Sequence, residues 1–287
     1  MNVVRDVTTP MDRAYPVATI GNFDGQHRGH RALLDIVVAT ARRVQGTPLV
    51  VTFDPHPVRT LAPHVDLKFL TSPEEKLARF EEAGIQEVVF LEFTPAFAAL
   101  TPQQFASQIL RDRLRLREIF VGEHFTFGKG RAGTVKDLVE LGAQSGFQVH
   151  AVPPVKLDGE VVSSTRIRRL IQAGDMEKGA RFLGRPYAIT GDVVHGDRRG
   201  RTLGWPTANL AAPFERVLPP DGVYAARTQW RDQRMASVAY IGTRPTFGAG
   251  ERMIEAYFLD SDPDVYGERI TVQFIERLRG DVAFKSP

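Results

Sequence analysis

The chain has 287 residues, 43% of them hydrophobic, enough for about two folded domains. No run approaches the ~18 apolar residues of a membrane helix, and the start MNVVRDVTTP lacks the basic-then-apolar build of a signal segment, so a cytoplasmic protein is expected. The absence of cysteine excludes disulfides, thiolate metal sites and cysteine nucleophiles, while a net charge of +3 suits anionic small molecules and nucleic acid alike.

VATI at 17–20 reads as a buried strand and RALLDIVV at 31–38 as a packed helix. Between them lies GNFDGQHRGH, 21–30, a glycine-bearing turn leading into a helix N-terminus. Free amides and the positive dipole end there favour phosphate. Gly21, Gly25 and Gly29 allow the backbone to approach a ligand closely. His27 and His30 are three apart, share a face on a first helical turn, and can donate to phosphate oxygens. An ordinary tight turn, a histidine metal pair and a dinucleotide turn are the other readings. The second lacks the Glu and the spacing of HExxH, and the third lacks GxGxxG.

TPLVVTF, 47–53, is the next strand and ends in the stiff loop DPHP, 54–57. Ligands bind at strand C-termini in open α/β sheets, so His56 either faces a site or sits in a loop that only shapes the crossover. From Ser72, SPEEK starts a helix with Ser as cap, Pro in the first position and acids in the first turn; Gly84 ends it. EVVFL, 87–91, is a strand. TPQQF from 101 caps another helix, expected to carry Arg111, Arg113, Arg115 and Arg117 over a solvated surface. EIFV, 118–121, is a strand that leads into GEHFTFGKGRAG, 122–133, a glycine-rich, basic and aromatic loop suited to phosphate and a flat ring. A helix at 135–141 and a strand at 147–152 follow. Strands alternating with helices predict a parallel, doubly wound sheet with right-handed crossovers. The region closes on VSSTRIRRLI, 162–171. Its hydroxyls cap a helix, and Arg166 and Arg168 either bring charge to a polyphosphate or belong to a plain amphipathic helix.

Near GRP, 184–186, long helical stretches give way to short strands at 187–194, 222–228, 235–241, 254–259 and 270–275, which predict a small antiparallel barrel. GDRRGRTLG, 196–204, is a flexible cationic loop. PTAN, 206–209, is rigid at its first residue and carries two side-chain oxygens, on Thr207 and Asn209, suited to Mg²⁺. Glu255 shares a strand with Ala256 and Phe258 on its opposite face. It is either a half-buried general base or an outward solvated carboxylate.

As a set and in this order, GNFDGQHRGH, SSTRIR, GRTLGWPTANL, IGTRPTFG and EAYFLD followed by DVYG resemble the bifunctional bacterial riboflavin kinase/FMN adenylyltransferases, or FAD synthetases, over residues 17–284. The resemblance implies an α/β architecture, with a doubly wound nucleotidyltransferase domain at 1–185 and a β-barrel riboflavin kinase domain at 186–287. The first would join FMN to the AMP part of ATP, giving FAD and pyrophosphate; the second would phosphorylate riboflavin with ATP and Mg²⁺. His27 and His30 would stabilise the phosphates of ATP. Gly21, Phe23, Asp24 and Gly29, the SSTRIR residues Ser163, Ser164 and Thr165, and Gly200 and Thr202 of the barrel would bind nucleotide, with Arg168 closing on the phosphates. His56, Phe125, Phe127 and Arg131 would meet flavin. Thr207 and Asn209 would hold Mg²⁺–ATP, and Glu255 would take the proton of the ribityl hydroxyl. Both reactions rest on positioning and charge neutralisation. Only small molecules are expected as partners, with neither nucleic acid nor membrane.

The chain departs from the family in three places. HFTFG at 124–128 stands where the family usually has DFRFG, and Tyr240 where it often has Asn. The chain also ends at Pro287, where the family usually continues into a helix packed on the kinase barrel, so adenylyl transfer with an impaired kinase is the alternative reading. Two competitors are another HxGH nucleotidyltransferase, against which the barrel motifs count, and an RNA-binding barrel, for which no strand interleaves aromatics with basic residues.

Overall fold

The computed structural model describes residues 1–5, 7, 9–194, 207–211, 215–243, 252–259, 261 and 263–281. Its contacts divide the chain into two compact units: Met1–Leu67 with Thr71–Val162, and Lys68–Leu70 with Ser163–Pro287.

The first unit is built on six parallel strands. They are β1 (Asn2–Arg5), β2 (Pro16–Ile20), β3 (Thr47–Asp54), β4 (Glu87–Glu92), β5 (Glu118–Gly122) and β6 (Gln148–Val152), in the order β1-β4-β3-β2-β5-β6. The helices between them are α1 (Arg28–Arg43), α2 (Pro57–Leu61), α3 (Pro73–Glu82), α4 (Pro95–Ala98), α5 (Pro102–Gln104), which runs on as a π-helical stretch Phe105–Arg113, and α6 (Val135–Ser145). A small antiparallel pair, β7 (Lys156–Leu157) and β8 (Glu160–Val161), follows. The sheet is covered on both faces, as a parallel sheet must be. Val17, Val50, Val88 and Phe120 point to the face packed by Leu34 and Val37 of α1 and Phe80 of α3. Their neighbours Ala18, Leu49, Val51, Val89 and Ile119 point to the other, packed by Phe105, Ile109 and Leu110 of the π stretch and Leu138 of α6.

Local chemistry explains the helix starts. Ser72 and Glu75 form a full capping box at α3, Thr101 and Gln104 another at α5, and Thr134 and Asp137 a third at α6. Two readings of the sequence are corrected here. The helical run ends at Arg113, so Arg115 and Arg117 lie beyond it; all four arginines are exposed, and Leu114 and Leu116 between them are buried. That alternation belongs to the turn into β5, where Leu114 keeps a helical conformation and Arg115 has a φ of 50°. The loop after β3 is not all loop, because His56 caps the one-and-a-half-turn helix α2.

The second unit opens with α7 (Ser164–Ala173) and α8 (Met176–Leu183), the latter starting at an Asp175 cap and ending at left-handed Gly184. It continues as a closed barrel of β9 (Tyr187–Val194), β10 (Thr207–Ala211), β11 (Gly222–Trp230), β12 (Gln233–Thr243), β13 (Arg252–Phe258) and β14 (Arg269–Gly280), in the cyclic order β10-β13-β12-β11-β14-β9. Every pairing is antiparallel. Tyr187, Ile189, Leu210, Tyr224, Ile241, Ile254 and Phe274 bury at alternate positions to fill the interior. Five of the strands match the runs expected from the sequence. The sixth, β10, is the PTAN segment that was read there only as metal-binding chemistry.

Candidate active sites

In the first unit the strand order reverses at β2, which lies between β3 and β5. Ligands of open α/β sheets bind outside the strand C-termini at such a point. The loop 21–27 leaves β2 there and ends at His27, which is the N-cap of α1 with extended backbone rather than a residue of its first turn. Its Nδ1 accepts the backbone N–H of His30 at 3.2 Å. The two imidazoles nevertheless share a face: their rings stack with centroids 3.7 Å apart. Gly29 makes this possible, because a Cβ at that position would sit 3.2 Å from the ring of His27. Gly25 supplies the turn with φ of 80°.

The other motif residues hold the loop. Phe23 is buried against the ring of His30 at 5.1 Å and that of Phe80 at 5.5 Å. Asp24 is buried and accepts from the backbone N–H of Thr71 at 3.2 Å and from its hydroxyl at 3.3 Å, while that hydroxyl accepts from Gly25 N–H. Gln26 Nε2 donates to the carbonyl of Lys76 at 2.7 Å. His30 keeps a buried Nδ1 with no hydrogen-bond partner among the described residues. Its pKa lies well below 6.5, first because burial penalises the imidazolium and then because His27 and Lys76 are close by. A neutral imidazole on a helix N-terminus is a donor and acceptor for phosphate.

Beside this loop opens a cavity of about 640 Å³. Gly21 and Asn22 form one wall, and Asn22 Oδ1 is buried without a partner among the described residues. The loops after β3, β4 and β5 supply the rest. His56, Phe125, Phe127 and Arg131, the four residues expected to meet a flavin, all line it. So do Phe53, Phe93, Phe97 and Phe105, which the sequence reading missed. Their rings form a chain of contacts with centroids 5.4 to 6.1 Å apart: Phe53 to Phe93 and Phe97, and Phe97 to Phe105. The signal available was their position, at the ends of β3 and β4 and just beyond them. In the departing HFTFG segment, Arg131 Nε donates to Thr126 Oγ1 at 2.9 Å, and both side chains belong to the cavity wall.

In the second unit, Ser163 caps α7 by accepting from Arg166 N–H at 3.2 Å, with Ser164 and Thr165 in the first turn. Arg168 Nε donates to the carbonyl of Lys68 at 3.0 Å. The barrel carries its polar cluster on the outer face of the strands. The register sets Asn209 of β10 directly opposite Glu255 of β13, and Glu255 directly opposite Tyr240 of β12. Ala208, Leu210, Ile254 and Ala256 turn inward. Directly opposed residues lie about 4.5–5.5 Å apart at Cβ, so the three form one row. Asn209 is 4% exposed, and its Oδ1 has no partner among the described residues. The Tyr240 hydroxyl is raised in pKa by burial first, then by Asp281, with Asp221 and Glu255 adding to it. Thr207 lies two residues from Asn209 on the same face. Gly200 and Thr202 lie outside the described residues.

Among the described residues no three His, Cys, Asp or Glu side chains group as a metal site, and no helix is long and apolar enough to cross a membrane. A phosphate-receptive HxGH loop beside an aromatic cavity, on a doubly wound sheet, defines the first unit as a nucleotidyltransferase. Asparagine and glutamate, opposite each other on the wall of a small closed barrel, form the second candidate site. Two family models match this chain, FAD synthetase over residues 10–166 and riboflavin kinase over 183–287. The chain is 39% identical over 272 residues to the bifunctional riboflavin kinase/FMN adenylyltransferase of Escherichia coli (strain K12), covering 94% of this chain and 86% of that one. It is 34% identical over 278 residues to the protein of the same name from Bacillus subtilis (strain 168), covering 95% and 87%. A crystal structure described as a macrolide-efflux protein from Streptococcus pneumoniae superposes with a TM-score of 0.90 at 32% identity, over 100% of this chain and 94% of that one. The chain belongs to the bifunctional riboflavin kinase/FMN adenylyltransferases, with both domains present.

Proposed function

We propose that the chain performs the two transfers of its family at the two sites described, with each site made from the residues of its own unit. In the first, ATP lies with its phosphates on the N-terminus of α1, held by the amides there and by His27 and His30, and FMN occupies the phenylalanine-lined cavity with His56, Phe125, Phe127 and Arg131 against it. An oxygen of the FMN phosphate attacks the α-phosphorus of ATP, the bond to the β-phosphate breaks, and pyrophosphate leaves with the electron pair. The single observation that carries this is the meeting of phosphate loop and aromatic cavity at Gly21, on the switch point of the sheet. Phe23 and Asp24 serve the nucleotide by fixing that loop.

In the barrel, Glu255 takes the proton of the riboflavin hydroxyl that attacks the γ-phosphorus of ATP, and ADP leaves. Thr207 and Asn209 would hold Mg²⁺ brought by the nucleotide. The orphaned buried Oδ1 of Asn209 fits such a cation, and the neutrality of both ligands fits a metal that keeps most of its bonds to phosphate and water. When bound, Mg²⁺ supplies neutralisation of charge on the phosphates. We assign 1–185 to adenylyl transfer and 186–287 to the kinase. The partners are small molecules, with no part for nucleic acid or membrane, and the place of action is the cytoplasm, where ATP is made.

The test is direct. The protein is incubated with ATP, Mg²⁺ and either riboflavin or FMN, and the products are separated by chromatography. FMN and then FAD from riboflavin, and FAD with pyrophosphate from FMN, are expected. FAD from FMN without FMN from riboflavin would leave only the first half of the reading standing.

A further inference from the structure

Helix α3 and Thr71, the residue before its Ser72 cap, are fastened to the phosphate loop. Asp24 accepts twice from Thr71, Thr71 accepts from Gly25, Gln26 reaches the carbonyl of Lys76, and Phe80 packs edge-on against Phe23. These contacts fix the face of α3 that carries Lys76, four residues after the Ser72 cap and four before Phe80, against the HxGH loop. The side chain of Lys76 is half-buried, and its ammonium makes no hydrogen bond or ion pair among the described residues. The charged or titratable groups around it are Asp24 from the loop, Asp54 from the end of β3, and His30 of α1, with His27 stacked on His30. Burying a cation without a direct partner is costly. Here burial lowers the pKa of Lys76, which Asp24 and Asp54 offset in part. Next to it, Nδ1 of His30 is buried and equally unpartnered. A half-buried lysine on the face of α3 fastened to the loop and a buried, unpartnered Nδ1 of His30 therefore both belong to a helix N-terminus already suited to anions.

Resting on the adenylyltransferase reading of this loop, we propose that Lys76 is a further catalytic residue of the first site, its ammonium bound to the polyphosphate of ATP beside His30 and to the pyrophosphate that leaves. The lysine then gains a directly bonded anionic partner, which it lacks among the described residues. The pyrophosphate, which gains charge as its bond to the α-phosphorus breaks, is met by a fixed cation in place of water.

The test uses the full chain with Lys76→Met, which keeps the length of the stem and removes the charge, and Lys76→Arg, which restores charge. A charge-assisted hydrogen bond lost at such a site corresponds to about a ten- to hundredfold fall. The expected result is that size of loss in kcat/KM for ATP in FAD formation, and in kcat/KM for pyrophosphate in the reverse reaction. KM for FMN and for FAD should be unchanged, FMN formation from riboflavin should be unaffected, and Lys76→Arg should recover part of the loss. The pKa of His30, followed by NMR, should also rise in Lys76→Met, because a neighbouring positive charge is gone. A folded Lys76→Met protein with kcat/KM values for ATP and pyrophosphate within twofold of the parent, or with an unmoved His30 pKa, overturns the proposal. Should Lys76→Met not fold, Lys76→Gln carries the same readouts. Failure of the parent protein to make FAD at all would instead refute the underlying assignment of the site.

Discussion

The two sites solve the same problem, phosphate chemistry, with opposite materials. The candidate site of the first unit is built from loops: the turn after β2, with walls from the segments after β3, β4 and β5, and with the stacked imidazoles of His27 and His30 at the N-terminus of α1. The candidate site of the barrel is built from strand side chains, held in a row by register, with a carboxylate opposite an amide oxygen that has no partner among the described residues. Loops can change residues without disturbing the sheet beneath, and His124 and Thr126 stand in such a loop, with Arg131 bonded to the latter. In the barrel a one-residue slip would turn Asn209 and Glu255 inward, and the register is locked by the apolar residues alternating with them. The first site is therefore variable in wall and fixed in turn, and the second is fixed along a ladder.

Substitutions should separate the two. The largest effect is expected at Glu255. Glu255→Gln keeps shape and hydrogen bonding but removes the proton acceptor, and FMN formation should fall by roughly 10²–10⁴, with riboflavin binding and FAD formation from FMN unchanged. A Glu255→Gln protein that phosphorylates riboflavin at the parent rate would reduce this carboxylate to part of the wall. Next comes His30→Ala, which removes one preorganised phosphate donor and should slow FAD formation by ~10²–10³ while FMN formation persists. Equal loss of both activities in a folded protein would dissolve the distinction between the sites.

Smaller effects sharpen the contrast through stability. Ser72→Ala opens the capping box of α3 and should cost the first unit about 1 kcal/mol in denaturant unfolding, with the barrel unchanged. The smallest effect is in pH. The pKa of His30 is lower in the folded unit than the ordinary 6.5, so below that value the unfolded chain takes up a proton that the folded one does not. Stability of the first unit should therefore decline as pH falls below about 6.5, and the decline should be shallower in His30→Ala. Identical slopes for the two proteins in urea titrations across that range would remove His30 as the source.

The sequence made some of this legible and hid the rest for physical reasons. The strands of the sheet are runs of apolar residues, and the capped helices announce themselves at Ser72 and Thr101, because burial and capping are local in pattern. The barrel strand β10 was concealed by its own chemistry: Ala208, Asn209 and Ala211 are poor strand formers, and pairing with β13 and β9 makes the segment a strand. Helix α8 is short, and its cap, Asp175, stands only two residues beyond Ala173, the last residue of α7. The histidine pair was found by spacing, yet the stacking of the rings depends on His27 leaving the helix as its cap, which a helical spacing rule cannot describe. Phe53, Phe93, Phe97 and Phe105 are spread over some fifty residues of sequence and converge only because parallel strands bring their C-terminal ends to one edge.

That convergence has an optical consequence. Apart from the imidazoles of His56 and His124, the aromatic wall of the cavity is phenylalanine, and the only tyrosine before residue 187, Tyr15, is not among its lining residues. Both tryptophans, Trp205 and Trp230, and the other five tyrosines belong to the later part of the sequence. Excited isoalloxazines lose their emission by taking an electron from tyrosine or tryptophan in contact with the ring, and phenylalanine is too hard to oxidise to do the same. A flavin seated in this cavity should remain luminescent, while tryptophan emission comes only from residues 205 and 230 of the sequence. The chain thus carries two separate colours of signal, one for each of its transfers, without any label being attached.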